Sequence, residues 1–300
     1  MAADALFTQQ AWLDHEAWIR GGAFAAVFAA TALSEAAAPR RLRRLPRGFR
    51  WLHNLSLVVV ATFCIRLTFP LLAVDVALLA ESRGWGLLNQ FDLSAWISIP
   101  LTVVVLDLVI YFQHRIFHAV PWLWRLHMVH HADPEIDVTT GGRFHPFEIM
   151  LSMLIKMAVT LAIGANAVGV IVFEVLLNAT SMFNHGNLAL PATIDRLLRA
   201  AVVTPDMHRV HHSVRREETN SNFGFNVPWW DRLFGTYRSQ PHGGHLGMTI
   251  GLTQFQERQR QSLGWMLVLP FTGDIGVYPR QRPAAIAHLN PPPPAPSDGT

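Results

Sequence analysis

The stretch WISIPLTVVVLDLVIYFQHRIFHAVPWLWRLHMVHH, residues 96–131, decides how the rest of the chain can fold. Its first part, residues 96–113, is mostly apolar, has Asp107 as its charged residue and is close to the length of a membrane helix, about 20 residues. Spacings of three and four return side chains to one face of a helix. The second part uses these spacings for His114, His118, His127, His130 and His131. The stretch therefore predicts a membrane helix that delivers a group of histidines to one side of a bilayer.

Composition supports a membrane protein. Of the 300 residues 51% are hydrophobic and only 15% are charged, whereas a soluble domain has about a quarter charged residues. Further apolar stretches lie at residues 17–33, 55–80 and 149–182. We expect an all-α integral membrane bundle of about four transmembrane helices with a cytosolic helical cap that carries the histidines. The alternative is a large soluble protein with buried helices.

The last apolar stretch, residues 149–182, is too long for one span. As a single helix it would measure about 50 Å, against a bilayer core of about 30 Å. Gly164, Asn166 and Gly169 lie at its middle. We therefore predict a helical hairpin that enters and leaves the membrane on the same side.

Arginines give the orientation. Six of them lie within residues 39–53, whereas residues 81–95 contain only Arg83. The excess of basic residues on the cytoplasmic side of membrane proteins predicts that residues 39–53 and the histidines face the cytoplasm, in a bacterial inner membrane. The pI near 9.6 fits this placement beside lipid headgroups better than it fits a nucleic-acid-binding protein.

A second group of histidines repeats the spacing of the first. His-x-x-His-His occurs at His127–His131 and again at His208–His212, and the second copy supplies His208, His211 and His212. The single cysteine, Cys64, cannot form a thiolate cluster, so any metal must be bound by nitrogen or oxygen. Eight imidazoles are too many for one ion, which favours two metals. We expect iron, which performs dioxygen chemistry, although the spacing alone leaves zinc, manganese and copper open.

Two more histidines are candidate ligands. His145 and His185 flank apolar segments on the histidine side, where they could complete the two metal sites or form structural hydrogen bonds. The remaining histidines have no matching context, and we expect them at the surface: His15, His53, His242, His245 and His288.

Three carboxylates are candidates for a hydrogen bond to a ligand histidine, on the side of the ring away from the metal. Asp107 lies seven residues before His114 on the same helical face, although a buried polar contact between helices would explain it equally well. Glu148 lies three residues after His145, and Asp206 lies two residues before His208.

The motifs together resemble the fatty acid hydroxylase or sterol desaturase superfamily of membrane-bound di-iron oxygenases. The resemblance covers about residues 96–240. It is carried by His114-Arg-Ile-Phe-His118, the run from Pro121 to His131, Phe183-Asn-His-Gly-Asn187, Thr204-Pro-Asp-Met-His-Arg-Val-His-His-Ser213, Asn220-Ser-Asn-Phe-Gly and Trp230-Asp-Arg-Leu-Phe-Gly-Thr-Tyr237. It implies that the eight histidines are iron ligands, that His185 is a further ligand, and that His145 belongs to an Arg-x-His-Pro element. At Gly186 and Asn187 the sequence departs from the family, many members of which have a second histidine or a Ser-Asn there.

The resemblance also implies the activity. We expect an O2-dependent oxidoreductase that binds two Fe ions and hydroxylates or desaturates a sterol, fatty acyl or related lipid in lipid biosynthesis. The sequence has no dinucleotide-binding Gly-x-Gly-x-x-Gly and no flavin or haem signature, so electrons must come from a separate reductase, ferredoxin or cytochrome. Two alternatives remain, an ether-lipid (alkylglycerol) monooxygenase and, outside enzymes, a metal transporter with ligands near the bilayer midplane.

These observations divide the chain into four predicted regions. Residues 1–95 hold the first membrane segments and the basic loop, and residues 96–240 form the catalytic domain. Residues 241–278 include a short apolar piece that we predict as an interfacial helix. Residues 279–300, with four consecutive prolines, are predicted to be a disordered tail.

Overall fold

The computed structural model describes residues 8–273, and within this range every regular element is helical. Two isolated backbone bridges, Pro39 with Leu188 and Ser213 with Ile250, do not extend into strands. The predicted all-α fold is therefore confirmed for the described residues. Short 3-10 helices lie at Leu88–Gln90, Thr140–Gly142, Thr253–Phe255, Arg258–Gln261 and Leu269–Phe271. The α-helices are α1 Gln9–Asp14, α2 Glu16–Ala37, α3 Arg47–Thr68, α4 Ala73–Arg83, α5 Ala95–Ala119, α6 Pro121–His131, α7 Pro146–Ile163, α8 Ala167–Asn184, α9 Ala192–Leu198, α10 Pro205–His211, α11 Arg216–Thr219, α12 Trp229–Leu233, α13 Gly244–Gly247 and α14 Leu263–Val268.

The long apolar helices form the membrane bundle. In the described part of the chain, five helical stretches are long and apolar enough to cross a membrane: Glu16–Ala37, Arg47–Gln90, Ala95–Ala119, Pro146–Ile163 and Ala167–Asn184. They coincide with the four predicted segments, because the last of these divides into two helices. The chain is a multi-pass helical membrane protein, as the sequence predicted.

The predicted hairpin is confirmed as α7 and α8. Helix α7 ends at Gly164, whose φ of 64° lies in the left-handed region that glycine adopts without strain. Helix α8 begins after Asn166, whose side chain accepts a hydrogen bond from the Gly169 N–H at 3.1 Å. Both free ends of the hairpin, at His145 and His185, point toward the histidine groups.

A second glycine closes the far end of the bundle. Gly86 has a φ of 90°, and a Cβ added there would lie 2.1 Å from the backbone nitrogen of Gly164. The next residue, Leu87, donates its N–H to the carbonyl of Ala162 at 3.2 Å. The loop after α4 therefore packs directly on the turn of the hairpin, backbone against backbone.

We expect Gly86→Ala to lower the free energy of unfolding by about 2 kcal/mol, because it combines an unfavourable φ with a backbone clash. Detergent-based unfolding titrations measure this change. Gly48→Ala is the matched control, since Gly48 lies in a helix with nothing within 4 Å of an added Cβ. Equal effects of the two substitutions would contradict the close approach.

The arginine-rich loop lies at the same end of the bundle as the histidines. Arg40 donates to both carboxylate oxygens of Asp206 at 3.1 and 3.0 Å, and Arg41 donates to the carbonyl of Met248 at 2.9 Å. This agrees with the predicted topology, whereas the assignment of that end to the cytoplasm stays a prediction. Part of the basic block thus holds the cap in place, a use that the sequence did not indicate.

The C-terminal apolar piece is helical, and part of it is core. In α14 and the following 3-10 helix, Met266 and Leu269 are fully buried against a cluster that includes Leu57 and Trp124. The predicted interfacial helix therefore also covers the back of the histidine-bearing helix α6. The predicted tail, residues 279–300, and His288 lie outside the described residues.

Candidate metal centre

Nine histidines form two adjacent buried groups. His114, His118, His127, His131 and His211 form the first cluster, and His130, His185, His208 and His212 form the second. Within each cluster the possible ligand nitrogens all lie within 4.8 Å of one another. The most exposed of the nine, His114, has only 4% of its surface accessible. The structure thus brings together the eight motif histidines and His185.

Each His-x-x-His-His motif divides its histidines between the two clusters. On α6, His127 and His131 are one turn apart and join the first cluster, whereas His130 between them joins the second. The second motif reverses this arrangement. His208 and His212 join the second cluster, and His211 crosses to the first. Each cluster therefore contains histidines from both halves of the domain.

The distances between nitrogens fit a shared metal ion. His118 Nε2 lies 3.1 Å from His131 Nε2, and His185 Nε2 lies 3.0 Å from both His130 Nε2 and His208 Nε2. Two imidazoles bound to one ion at about 2.1 Å and at roughly a right angle would have nitrogens about 3 Å apart. The clusters are thus the right size for one ion each.

Hydrogen bonds behind the rings direct the opposite nitrogens inward. The Nδ1 atoms of His114 and His211 donate to the carbonyls of Phe223 and Ser221, both at 2.8 Å, and His185 Nδ1 donates to the carbonyl of Ser181 at 2.7 Å. The Nε2 atoms of His114, His127 and His211 are buried and have no hydrogen-bond partner within residues 8–273. Buried nitrogens are rarely left unpaired, so these atoms fit a metal that they would bind.

Burial keeps the cap histidines neutral, which is the form that binds metals. It lowers the pKa of His127 to about 3 and that of His185 to about 4. Burial and the neighbouring imidazoles also hold the pKa well below the usual 6.5 at the other cap histidines of the clusters, His130, His131, His208, His211 and His212. All seven can therefore act as ligands at neutral pH.

Glu148 lies behind the first cluster. His127 Nδ1 donates to Glu148 Oε1 at 2.6 Å, and both side chains are buried. The sequence indicated Glu148 as a supporting carboxylate, although by its spacing from His145. A carboxylate in this position fixes the tautomer and the orientation of the ring that it holds.

We expect Glu148→Gln to weaken metal binding by about 10- to 100-fold, because the amide no longer orients the His127 ring as the carboxyl group does. Competition with a chelator of known affinity measures the change. The control is Glu217→Gln, which removes an exposed carboxylate that pairs with Arg215 on the cap surface. An unchanged affinity in Glu148→Gln would show that the hydrogen bond is only structural.

Asp107 and Asp206 contact other groups. Asp107 accepts from Trp230 Nε1 at 2.8 Å, so it joins α5 to the cap, the polar contact between helices that was its alternative interpretation. Asp206 binds Arg40 and Arg209 and lies 3.5 Å from His245. Within residues 8–273, neither carboxylate forms a hydrogen bond or ion pair with a clustered histidine.

His145 lies outside both clusters. Its Nδ1 accepts the N–H of Phe147 at 3.2 Å and so caps α7, while its Nε2 lies 3.3 Å from the carbonyl of Leu267. This is the structural alternative that the sequence left open. Its role as a ligand stays a prediction without support from the geometry.

The prediction that His245 lies at the surface is wrong. His245 is 5% exposed, because α13 docks beneath the arginine-rich loop, where Arg41 donates to its carbonyl. Burial lowers the pKa of His245 to about 4. Of the other histidines with this prediction, His15 and His242 are exposed and His53 is half-buried.

Sequence reasoning missed a buried polar network behind α6. Arg143 Nε donates to the carbonyl of Val129, between two ligand candidates, at 2.8 Å. Arg50 Nη2 donates to Asp133 Oδ2 at 2.6 Å, and Arg50 Nη1 also binds Asp137. The Arg-x-His-Pro element could have pointed to Arg143, but nothing in the spacing links Arg50 to Asp133.

An apolar cavity reaches the first cluster from within the membrane bundle. It has a volume of about 260 Å³ and ends at His114 and His127. The walls come from α2, α3, α5, α7 and α8. Helices α2 and α3 contribute Phe24, Phe28 and Leu55 to the lining. The cavity thus gives the first cluster an apolar approach between the helices of the bundle.

Comparison with known proteins agrees with this architecture. Residues 99–236 match the model of the fatty acid hydroxylase family. The ornithine lipid hydroxylase OlsE of Rhizobium tropici is 27% identical over 178 residues, which are 58% of this chain and 51% of that protein. Human alkylglycerol monooxygenase is 25% identical over 54% of this chain and 34% of its own, and rat cholesterol 25-hydroxylase is 24% identical over 52% of each. The alignments thus span about half or a third of the length of these relatives. No solved structure gives a significant match.

Proposed function

We propose that this protein is a membrane-bound, O2-dependent oxidoreductase with two iron ions that hydroxylates a lipid. The observation that carries the proposal is that the apolar cavity meets the histidine clusters. His114 and His127 belong to the first cluster and also line the cavity. The names of the relatives, two lipid or sterol hydroxylases and an alkylglycerol monooxygenase, support this class of activity.

The clusters would hold the metals, with five imidazoles for one ion and four for the other. When bound, a pair of iron ions supplies the reaction of dioxygen with an unactivated C–H bond. The iron, rather than zinc, is supported by the family and by the nitrogen-rich donor set. The electrons would come from a separate redox protein.

The chain's own residues would position the lipid and keep water out. Phe24, Phe28 and Leu55 offer apolar walls to an alkyl chain, which His114 and His127 meet at the end of the cavity. Glu148 holds the proton of His127 on Nδ1 and so keeps Nε2 free for a metal. Burial of all nine histidines limits access of bulk water to the reacting carbon.

Two alternatives have unequal support. Ether-lipid oxidation by the same site is favoured by the similarity to alkylglycerol monooxygenase. Metal transport would require ligands near the bilayer midplane on broken helices. Here seven of the nine histidines lie on α6, on α10 or at the ends of helices beyond the membrane bundle.

We also propose that this end of the bundle faces the cytoplasm of a bacterial inner membrane.

The test is oxygen uptake by the iron-loaded protein with a chemical or protein reductant and a panel of lipids, followed by mass spectrometry of the products. We expect uptake that depends on lipid and a product heavier by one oxygen atom, labelled from 18O2. Label from water, or zinc as the only bound metal, would overturn the proposal.

A further inference from the structure

The cavity is apolar along most of its walls but has polar atoms close to the first cluster. Gln113 on α5 precedes His114, and its side chain lines the cavity together with those of Glu148 and Ser152 on α7. Ile110, Gln113, His114 and Phe117 share one face of α5, as their spacing of three and four requires. An amide thus lies beside a ligand candidate where an alkyl chain alone would favour an apolar residue.

Gln113 has an acceptor with no partner. Its Nε2 donates to Ser152 Oγ at 3.1 Å, which fixes the orientation of the amide. Its Oε1 is buried and has no hydrogen-bond partner in the described part of the chain. An unpaired buried acceptor is costly, and such an atom calls for an explanation.

Glu148 has a second such acceptor. Its Oε1 is used by His127, while its Oε2 is buried and lacks a hydrogen-bond partner among residues 8–273. Glu148 is only 4% exposed. Two residues that line one cavity therefore each have an unpaired oxygen, and both are hydrogen-bond acceptors. What is missing is a donor.

We propose that the lipid supplies this donor. The cavity would select a lipid that carries a hydroxyl or amide N–H within a few bonds of the carbon to be oxidised, because Gln113 adjoins His114 and Glu148 binds His127. The unfunctionalised middle of an acyl chain would leave both acceptors unpaired. This inference rests on the proposed function for the reaction, but the subsite itself can be tested by binding alone.

The experiment measures equilibrium binding of two radiolabelled probes to the full-length metal-loaded protein in nanodiscs. The probes are 1-O-hexadecylglycerol, with two hydroxyls, and 1-O-hexadecyl-2,3-di-O-methylglycerol, which has the same chain and no donor. We expect the dimethyl probe to bind about 10-fold more weakly to the wild type. In Gln113→Leu we expect the ratio of the two dissociation constants to fall to about 2-fold.

The control variant is Thr62→Val. Thr62 lines the same cavity, but its hydroxyl already donates to the carbonyl of Val58 at 2.8 Å, so we expect the wild-type ratio to persist. Gln113→Met, which keeps the length of the side chain, is the second variant should Gln113→Leu not fold, and we expect the same reduced ratio.

Three outcomes would overturn the subsite: equal binding of the two probes to the wild type, no measurable binding of either probe, or an unchanged ratio in the Gln113 variants. An unchanged ratio in the Gln113 variants would show that the methyl groups of the second probe weaken binding by their size and not by removing a donor. Selective binding without lipid-dependent oxygen uptake would uphold the subsite and refute the oxygenase, so the two failures remain distinct.

Discussion

His211→Ala is expected to lose most of the metal of the first cluster and to lower lipid oxidation by at least about 100-fold. His211 is the one member of this cluster that comes from the second histidine motif. Its Nε2 is buried and has no hydrogen-bond partner among residues 8–273, and its Nδ1 donates to the carbonyl of Ser221. Removing the ring leaves the ion with an open position and unties α10 from the first cluster. Metal analysis of the purified protein, with about two irons per chain expected in the wild type, measures the loss.

Two further variants are compared with His211→Ala. His242→Ala changes an exposed histidine and should leave both metal content and oxidation unchanged. His145→Ala tests the remaining ligand candidate, and we expect the metal content to stay at the wild-type level because His145 lies outside both clusters. An iron content that stays at about two per chain in His211→Ala would refute the first cluster as a metal site.

Arg50→Leu is expected to lower the free energy of unfolding by about 3 to 5 kcal/mol, because it removes the cation bound to the buried Asp133 and Asp137 carboxylates and leaves Arg143, 3.9 Å away, as the cation beside Asp133. Arg50 is 1% exposed and its Nε lies 3.1 Å from Asp133 Oδ1, two residues after His131. The change should therefore also loosen α6. Unfolding in a detergent titration measures the stability.

The matched control for this prediction is Arg215→Leu. Arg215 pairs with Glu217 at 2.9 Å on the cap surface, where both side chains are accessible. Such exposed pairs contribute about 1 kcal/mol or less. If the two substitutions destabilised the protein equally, the buried network would not hold the histidine helix as we infer.

The hairpin and most of the histidine site were predictable from the sequence, because each depends on local spacing. A helix of the full length of residues 149–182 cannot fit the bilayer, and Gly164 with Asn166 offers the turn. Spacings of three and four likewise place His127 and His131 on one face of α6. Both arguments use only neighbours along the chain.

What local spacing could not supply is contact between distant segments. Arg50 and Asp133 are 83 residues apart, and no pattern in the sequence pairs them. The same holds for the burial of His245, which requires the arginine-rich loop to fold over it, and for Trp230, which turns Asp107 toward the cap. The assignment of each histidine to one of the two clusters also depends on how α6 and α10 pack, and the spacing along the chain does not predict this.

The exchange of histidines between the two motifs determines when the metal centre can be assembled. The first cluster needs His211 in addition to four histidines from residues 114–131, and the second needs His208 and His212 in addition to His130 and His185. A nascent chain that has just inserted α7 and α8 therefore possesses neither site in full. If the protein binds two ions as proposed, their loading would follow synthesis and docking of α10, and each bound ion would act as a cross-link between the cap and the membrane bundle.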